Sequence, residues 1–124
     1  MTTKALLIVS ALIELGAGLA LLCCPSVMTT LLIGAALETP AALTVARVGG
    51  AGLLALGVAC WLARADSHSR AAKGLIAAML IYDVAAAAVL VDAGLGDGLN
   101  GPALWPAVVL HTAMSVWCAM RLRG

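Results

Sequence analysis

Four long apolar segments constrain this chain more than any other feature of its sequence. An α-helix rises about 1.5 Å per residue, so it needs about 20 mostly apolar residues to cross about 30 Å of hydrocarbon. Because lipid offers the backbone no hydrogen-bond partners, such segments cross as helices that satisfy their own backbone groups. The segments at about residues 5–24, 40–63, 71–93 and 102–122 therefore predict four transmembrane helices in a single membrane domain, residues 1–124.

The composition agrees with a membrane protein and disfavours other classes. Apolar residues make up 64% of the chain and charged residues 10%, whereas soluble domains have about 45–50% and about 25%. The formal net charge is only +1, and no basic tract is long enough to follow a phosphate backbone. We therefore expect membrane lipid as a partner and no nucleic acid.

Turn and cap residues mark the ends of these segments. Pro25 stops the first, and Thr39 followed by Pro40 is typical of a helix N-cap and first helical position at the start of the second. Residues 26–38 are too few to cross, and residues 94–101 contain four glycines and indicate a flexible loop. The predicted fold is an all-α transmembrane four-helix bundle with a short interfacial helix between the first and second spans.

Basic residues outside the apolar segments predict the orientation. The connections on the other side contain Glu38, Asp92 and Asp97 and no Lys or Arg. Since cytoplasmic loops are enriched in Lys and Arg, we expect a multi-pass protein of the cell inner membrane with both termini cytoplasmic, and we do not expect a dual-topology antiparallel dimer. The six basic residues that fall on one side are Lys4, Arg64, Arg70, Lys73, Arg121 and Arg123.

Each apolar segment contains one ionisable residue away from its ends: Glu14, Arg47, Asp83 and His111. A charge at the bilayer centre costs about 2.5–3.5 kcal/mol on insertion scales, so such groups normally face the bundle interior and pair with one another. Counting along each helix from its predicted interface gives similar depths for the four. We predict that they meet in one polar layer that binds a small ligand or exchanges protons.

A structural interpretation of the same residues stays open. A buried pair of Arg47 with a carboxylate fixes helix register, with His111 hydrogen-bonded beside it. His111 with Glu14 or Asp83 is also a minor candidate for a metal ligand set, although we predict neither a metal nor a cofactor. The sequence contains no nucleophile paired with a base and no phosphate-binding glycine loop, so no motif of this kind indicates an enzyme. The four cysteines are expected to be buried apolar side chains.

Several strings resemble those of a family of small bacterial membrane proteins. They are Ala-Arg-Val-Gly-Gly at 46–50, Leu-Ala-Leu-Gly-Val-Ala-Cys-Trp at 54–61, Ile-Tyr-Asp at 81–83 and Leu-Trp-Pro-Ala-Val-Val-Leu-His at 104–111. The resemblance covers most of the chain and implies a four-helix fold with no assigned activity. That four-span plan is similar to the architecture of DoxX-like proteins.

A second, weaker resemblance concerns the first helix. Glu14 in Ala-Leu-Ile-Glu-Leu-Gly at 11–16, together with the chain length, is similar to small multidrug resistance transporters. Their aromatic substrate walls are missing from this chain, which has no Phe, and Arg47, Asp83 and His111 have no counterpart in their plan. This resemblance implies a proton-coupled small-molecule transporter or channel as the alternative function.

The predicted function is a small-ligand-binding protein or an accessory or assembly subunit of the membrane. We expect either a homo-oligomer or a complex with another membrane protein. Because four helices enclose little room, we also expect a ligand cavity of about 300 Å³ or more to need a second chain.

Overall fold

The computed structural model of the chain describes residues 2–124. Within these residues the backbone is 84% helical and contains no strand, which confirms the all-α prediction. A 3-10 turn, Arg64–Asp66, follows the third helix. The five α-helices are α1 (Thr3–Cys23), α2 (Pro25–Ile33), α3 (Pro40–Ala63), α4 (Arg70–Leu95) and α5 (Leu104–Arg123).

Polar side chains cap the start of three long helices. Thr2, Thr39 and Ser69 each accept a hydrogen bond of 3.1 Å from the backbone N–H three residues further on. Each of these bonds satisfies one of the N–H groups that a helix leaves unpaired at its first turn. Pro40 takes the first position of α3, as the sequence predicts.

Three of the described helices are long and apolar enough to cross a membrane. They are α1, α3 with its following 3-10 turn, and α4. By the same measure α5 is not among them, because His111, Pro106 and its terminal arginines lower its mean hydropathy. The structure is therefore compatible with a membrane protein, and length and composition support three of the four predicted spans.

The connections differ from the predicted ones by a few residues. Helix α2 lies in the segment where the sequence predicts a short helix, and Gly34, whose φ of 72° suits glycine, caps its carboxyl end. Helix α5 begins at Leu104 rather than at Pro102. The N–H of Ala103 donates to the carbonyl of Leu31, at 2.8 Å, and so joins the α4–α5 loop to α2.

Helices α1 and α3 approach each other so closely that only glycine fits at the contact. A Cβ atom on Gly18 would lie 2.6 Å from the backbone nitrogen of Leu54, and one on Gly57 would lie 2.8 Å from that of Leu15. Since positions rise along α1 as they fall along α3, the two helices run antiparallel. Small residues at such contacts are the usual basis of helix packing in membranes.

The apolar core lies at the end of the bundle where α1 begins and α5 ends. Cys60 and Cys118 are fully buried in it, whereas Cys23 and Cys24 are exposed, so the expectation of four buried cysteines is wrong for this pair. Cys23 is the last residue of α1, and Cys24 lies between α1 and α2. The core comprises Leu6, Leu7, Ala11, Cys60, Ile76, Met79, Met114 and Cys118.

The glycine contact makes a testable prediction for Gly50. A Cβ there would lie 2.9 Å from the carbonyl oxygen of Gly18 and 3.0 Å from the nitrogen of Leu22, so Gly50→Ala forces backbone atoms apart. We expect the free energy of unfolding in detergent to fall by about 1–3 kcal/mol, measured by thermal or chemical unfolding. Gly52→Ala is the control, because nothing lies within 4 Å of a Cβ at that position. Equal destabilisation by both variants would contradict the contact.

Candidate functional site

Asp83 and His111 form a buried polar pair between α4 and α5. Nδ1 of His111 lies 2.8 Å from Oδ1 of Asp83, within hydrogen-bond distance. The side chain of Asp83 is 2% exposed and that of His111 is 14% exposed. The second oxygen of Asp83, Oδ2, is buried and has no hydrogen-bond partner among residues 2–124. The structure thus brings together two of the four residues predicted to form a polar layer.

Glu14 joins this pair from α1. Its side chain is buried, with 2% exposure, and it lies close enough to Asp83 and His111 to interact with both electrostatically. One carboxyl oxygen, Oε2, is buried without a partner in the described part of the chain, as is the hydroxyl of Ser10 one turn earlier. A buried polar atom that lacks a partner costs about 1–3 kcal/mol. The cluster of Glu14, Asp83 and His111, here called the central cluster, therefore has unused hydrogen-bonding capacity.

Tyr82 supports the histidine ring of the central cluster. The rings of Tyr82 and His111 lie edge to face, with centroids 5.6 Å apart and planes at 84°. This geometry is one that aromatic rings favour, because the positive edge of one ring meets the negative face of the other. The site predicted from the sequence does not include Tyr82. Its position beside Asp83 in sequence is a signal that could have indicated it, but the contact with α5 is not predictable from that position.

Arg47 does not join the central cluster. It is exposed on α3, so the predicted layer of four groups is a cluster of three. The reason lies in where α1 ends. Gly50 already contacts Leu21 and Leu22 near the last residue of α1, and Arg47 lies three residues closer to the start of α3, beyond that close contact. The depth count from the sequence cannot reveal this offset.

A cavity of about 300 Å³ opens beside the central cluster. Glu14, Tyr82 and His111 supply its polar groups, and its other walls are apolar. Its volume is at the lower end of the range for small-molecule sites. A single chain therefore forms a partly open, ligand-sized space, contrary to our expectation that a second chain is needed. The apolar lining residues are Ile13, Ala17, Leu21, Met28, Leu32, Leu53, Ala86, Val89, Leu90, Ala107 and Leu110.

The sequence suggests His111 with Glu14 or Asp83 as a minor candidate for a metal ligand set. Within residues 2–124, no group of three or more His, Cys, Asp or Glu side chains has an arrangement that could hold a metal ion. What the cluster offers is hydrogen bonding and charge beside an apolar space.

Comparisons of the chain with protein-family models, with curated proteins and with solved structures find no match. The resemblances to small bacterial four-helix proteins and to small multidrug resistance transporters stay predictions. Function is therefore inferred from the geometry of the site.

The Asp83–His111 pair makes a prediction that a double-mutant cycle tests. Asp83→Leu or His111→Leu leaves the other side chain buried without its hydrogen bond, and we expect each to lower the free energy of unfolding by about 1–3 kcal/mol. Replacing both removes both polar groups, so the double variant is expected to lose less than the sum of the two. Thr112→Val is the control, because Thr112 is exposed on the same helix. Additive losses would contradict the pairing.

Proposed function

We propose that this protein binds a small, largely apolar molecule with one polar group in the cavity beside the central cluster. The observation that carries the proposal is Oε2 of Glu14, a buried acceptor without a partner in the described chain, on a residue that lines a mostly apolar space of about 300 Å³. A ligand with an N–H or O–H donor would satisfy that oxygen while its apolar part fills the cavity. Ligand sites of this kind combine apolar walls with a few placed polar groups.

The proposal includes four membrane spans rather than three. Helix α5 packs antiparallel on α4, as the Asp83–His111 pair and the contact of Gly94 with Leu104 indicate. Its outer surface is also apolar, since Val109 is 68% exposed and Val116 is 55% exposed. A helix that lies along a spanning helix and presents apolar side chains outward is suited to lipid.

The orientation and partners follow from the charged residues. With the basic connections on the cytoplasmic side, both termini are cytoplasmic and α2 lies at the opposite interface of the inner membrane. Arg47 is exposed on α3, where its long side chain suits a lipid headgroup or an acidic group of another chain. A homo-oligomer or an accessory role beside another membrane protein remains part of the proposal for this reason.

The binding proposal is tested by filling the cavity. We expect 1-naphthylamine, an apolar ring system with one NH2 donor, to bind the purified protein as an added mass in native mass spectrometry. Ala86 lines the cavity, so Ala86→Leu takes up its space and is expected to weaken binding at least several-fold. Ala88→Leu, at an exposed position of the same helix, is the control. The same affinity in wild type and Ala86→Leu would count against this site.

A proton-coupled transporter is the second candidate function. The observation in its favour is that Glu14 and Asp83 are two buried carboxyl groups close enough to interact electrostatically, each with an oxygen that lacks a partner among the described residues. Either group is placed to exchange a proton against a substrate in the cavity. Arg47, the counter-charge that this mechanism would use, is exposed instead, which makes binding the favoured function.

Proton movement across the membrane of liposomes that contain the protein distinguishes the two functions. Benzyltrimethylammonium, a permanent cation, is placed on one side of the membrane, and proton movement is followed with the trapped dye pyranine. If the protein only binds its ligand, we expect no proton movement in wild type or in Glu14→Gln. Proton movement that is present in wild type and absent in Glu14→Gln would establish the transporter instead.

A further inference from the structure

The end of the bundle where α1 begins and α5 ends contains two adjoining cavities, separate from the one beside the central cluster. Their volumes are about 370 and 300 Å³. They share four lining residues, and the two cavities together are here called the basal recess. The shared residues are Thr3, Ser67, His68 and Arg121, and the first cavity adds Lys4 whereas the second adds Lys73.

The basal recess is strongly cationic. Lys4, Lys73 and Arg121 each carry a positive charge there, and no Asp or Glu side chain lines either cavity. In residues 2–124 the ion pair within 4.0 Å is that of Asp83 with His111, so none of these three cations is paired with a carboxylate in the described part of the chain. A carboxylate at Gly124, which lines the second cavity, would offset one of these three positive charges and leave a net charge of two.

Arg121 has an unpaired hydrogen-bond donor at the basal recess. Its Nε atom is buried and has no hydrogen-bond partner in the described residues. Buried donors in proteins are nearly always paired, so an unpaired one marks a place where an acceptor is missing. Arg121 lines both cavities, so an acceptor that enters the recess lies next to this side chain.

Two helices begin at the recess and favour an anion there, whereas the carboxyl end of α5, with Gly124 in the wall of the second cavity, opposes this effect. Helix α1 begins at Thr3, in the wall of the recess, and Lys73 lies in the first turn of α4. Unpaired N–H groups and the helix dipole make the start of a helix a favourable place for negative charge. The hydroxyl groups of Thr3 and Ser67 add further donors.

We infer that the basal recess binds a phosphate group. Guanidinium, ammonium and hydroxyl donors around one space match the several acceptor oxygens of a phosphate, which are strong partners for Arg and Lys. The phosphate belongs either to an anionic lipid headgroup or to a small soluble phosphate. Basic pockets between helices at the cytoplasmic side of membrane proteins bind lipid headgroups of this kind. This site is independent of the ligand proposed beside Glu14.

Two probes on the full chain in detergent test the inference and separate the sources. Inorganic phosphate is titrated by calorimetry, and dioleoyl phosphatidylglycerol is compared with dioleoyl phosphatidylcholine by native mass spectrometry. Binding of inorganic phosphate indicates a soluble ligand, and preference for phosphatidylglycerol indicates a lipid headgroup. Either result supports the site if it depends on the recess residues. Absence of both would overturn it.

Matched variants decide whether the recess itself is responsible. Arg121→Gln removes one charge from the recess, and Arg123→Gln removes the same charge from an exposed position two residues later. We expect Arg121→Gln to weaken binding of the phosphate probe about tenfold, because one charged hydrogen bond is lost, and Arg123→Gln to change it less than twofold. Equal weakening by both would overturn the inference in favour of diffuse surface charge.

A second pair keeps the test valid if Arg121→Gln does not fold. Lys73 lines the recess, whereas Arg70 lies one turn earlier on α4 and does not line it. Both are exposed, so neither substitution disturbs the core. We expect Lys73→Gln to weaken phosphate binding several-fold and Arg70→Gln to leave it unchanged, with thermal midpoints of both equal to wild type. The opposite order would overturn the inference.

Discussion

The backbone contact between α1 and α3 is the constraint on which the rest of the structure depends. Lipid gives helices no hydrophobic reason to associate, so close packing must supply the attraction. Gly18 and Gly50 allow the two backbones to approach until a single methyl group would collide. This contact also fixes the rotation of α1, and Glu14, one turn before Gly18, is turned into the bundle instead of toward lipid.

The central cluster exists because two antiparallel pairs of helices meet there. Helices α1 and α3 form one pair and supply Glu14, and α4 and α5 form the other and supply Asp83 with His111. Hydrogen bonding between Asp83 and His111 accounts for these two residues as a structural pair that fixes the register of α4 against α5. It does not account for the unpartnered oxygens of Glu14 and Asp83, and of these two carboxyl groups Glu14 lines the cavity whereas Asp83 does not. The structural and ligand-binding interpretations therefore apply to different members of one cluster.

Much of the helical layout could be predicted from the sequence, because length and apolar character determine which segments become long helices. The Thr39–Pro40 start of α3 and the burial of Glu14 and Asp83 follow from local rules of this kind. The exposure of Arg47 could not be predicted, since it depends on where α1 ends relative to α3. The cavity depends on the spacing between the two helix pairs, which residue counting along one helix does not give.

The basal recess also could not be predicted from the sequence. Lys4, Lys73 and Arg121 were informative in the sequence only as signs of orientation, and their grouping around one space depends on the fold. The fold keeps two groups of charged residues apart: Glu14 and Asp83 lie in the middle of the bundle, and Lys4, Lys73 and Arg121 lie at its end. Since Coulomb attraction falls with distance and the apolar core lies between them, neither group neutralises the other. Each therefore keeps its capacity for an external partner, a hydrogen-bond donor in the middle and an anion at the end.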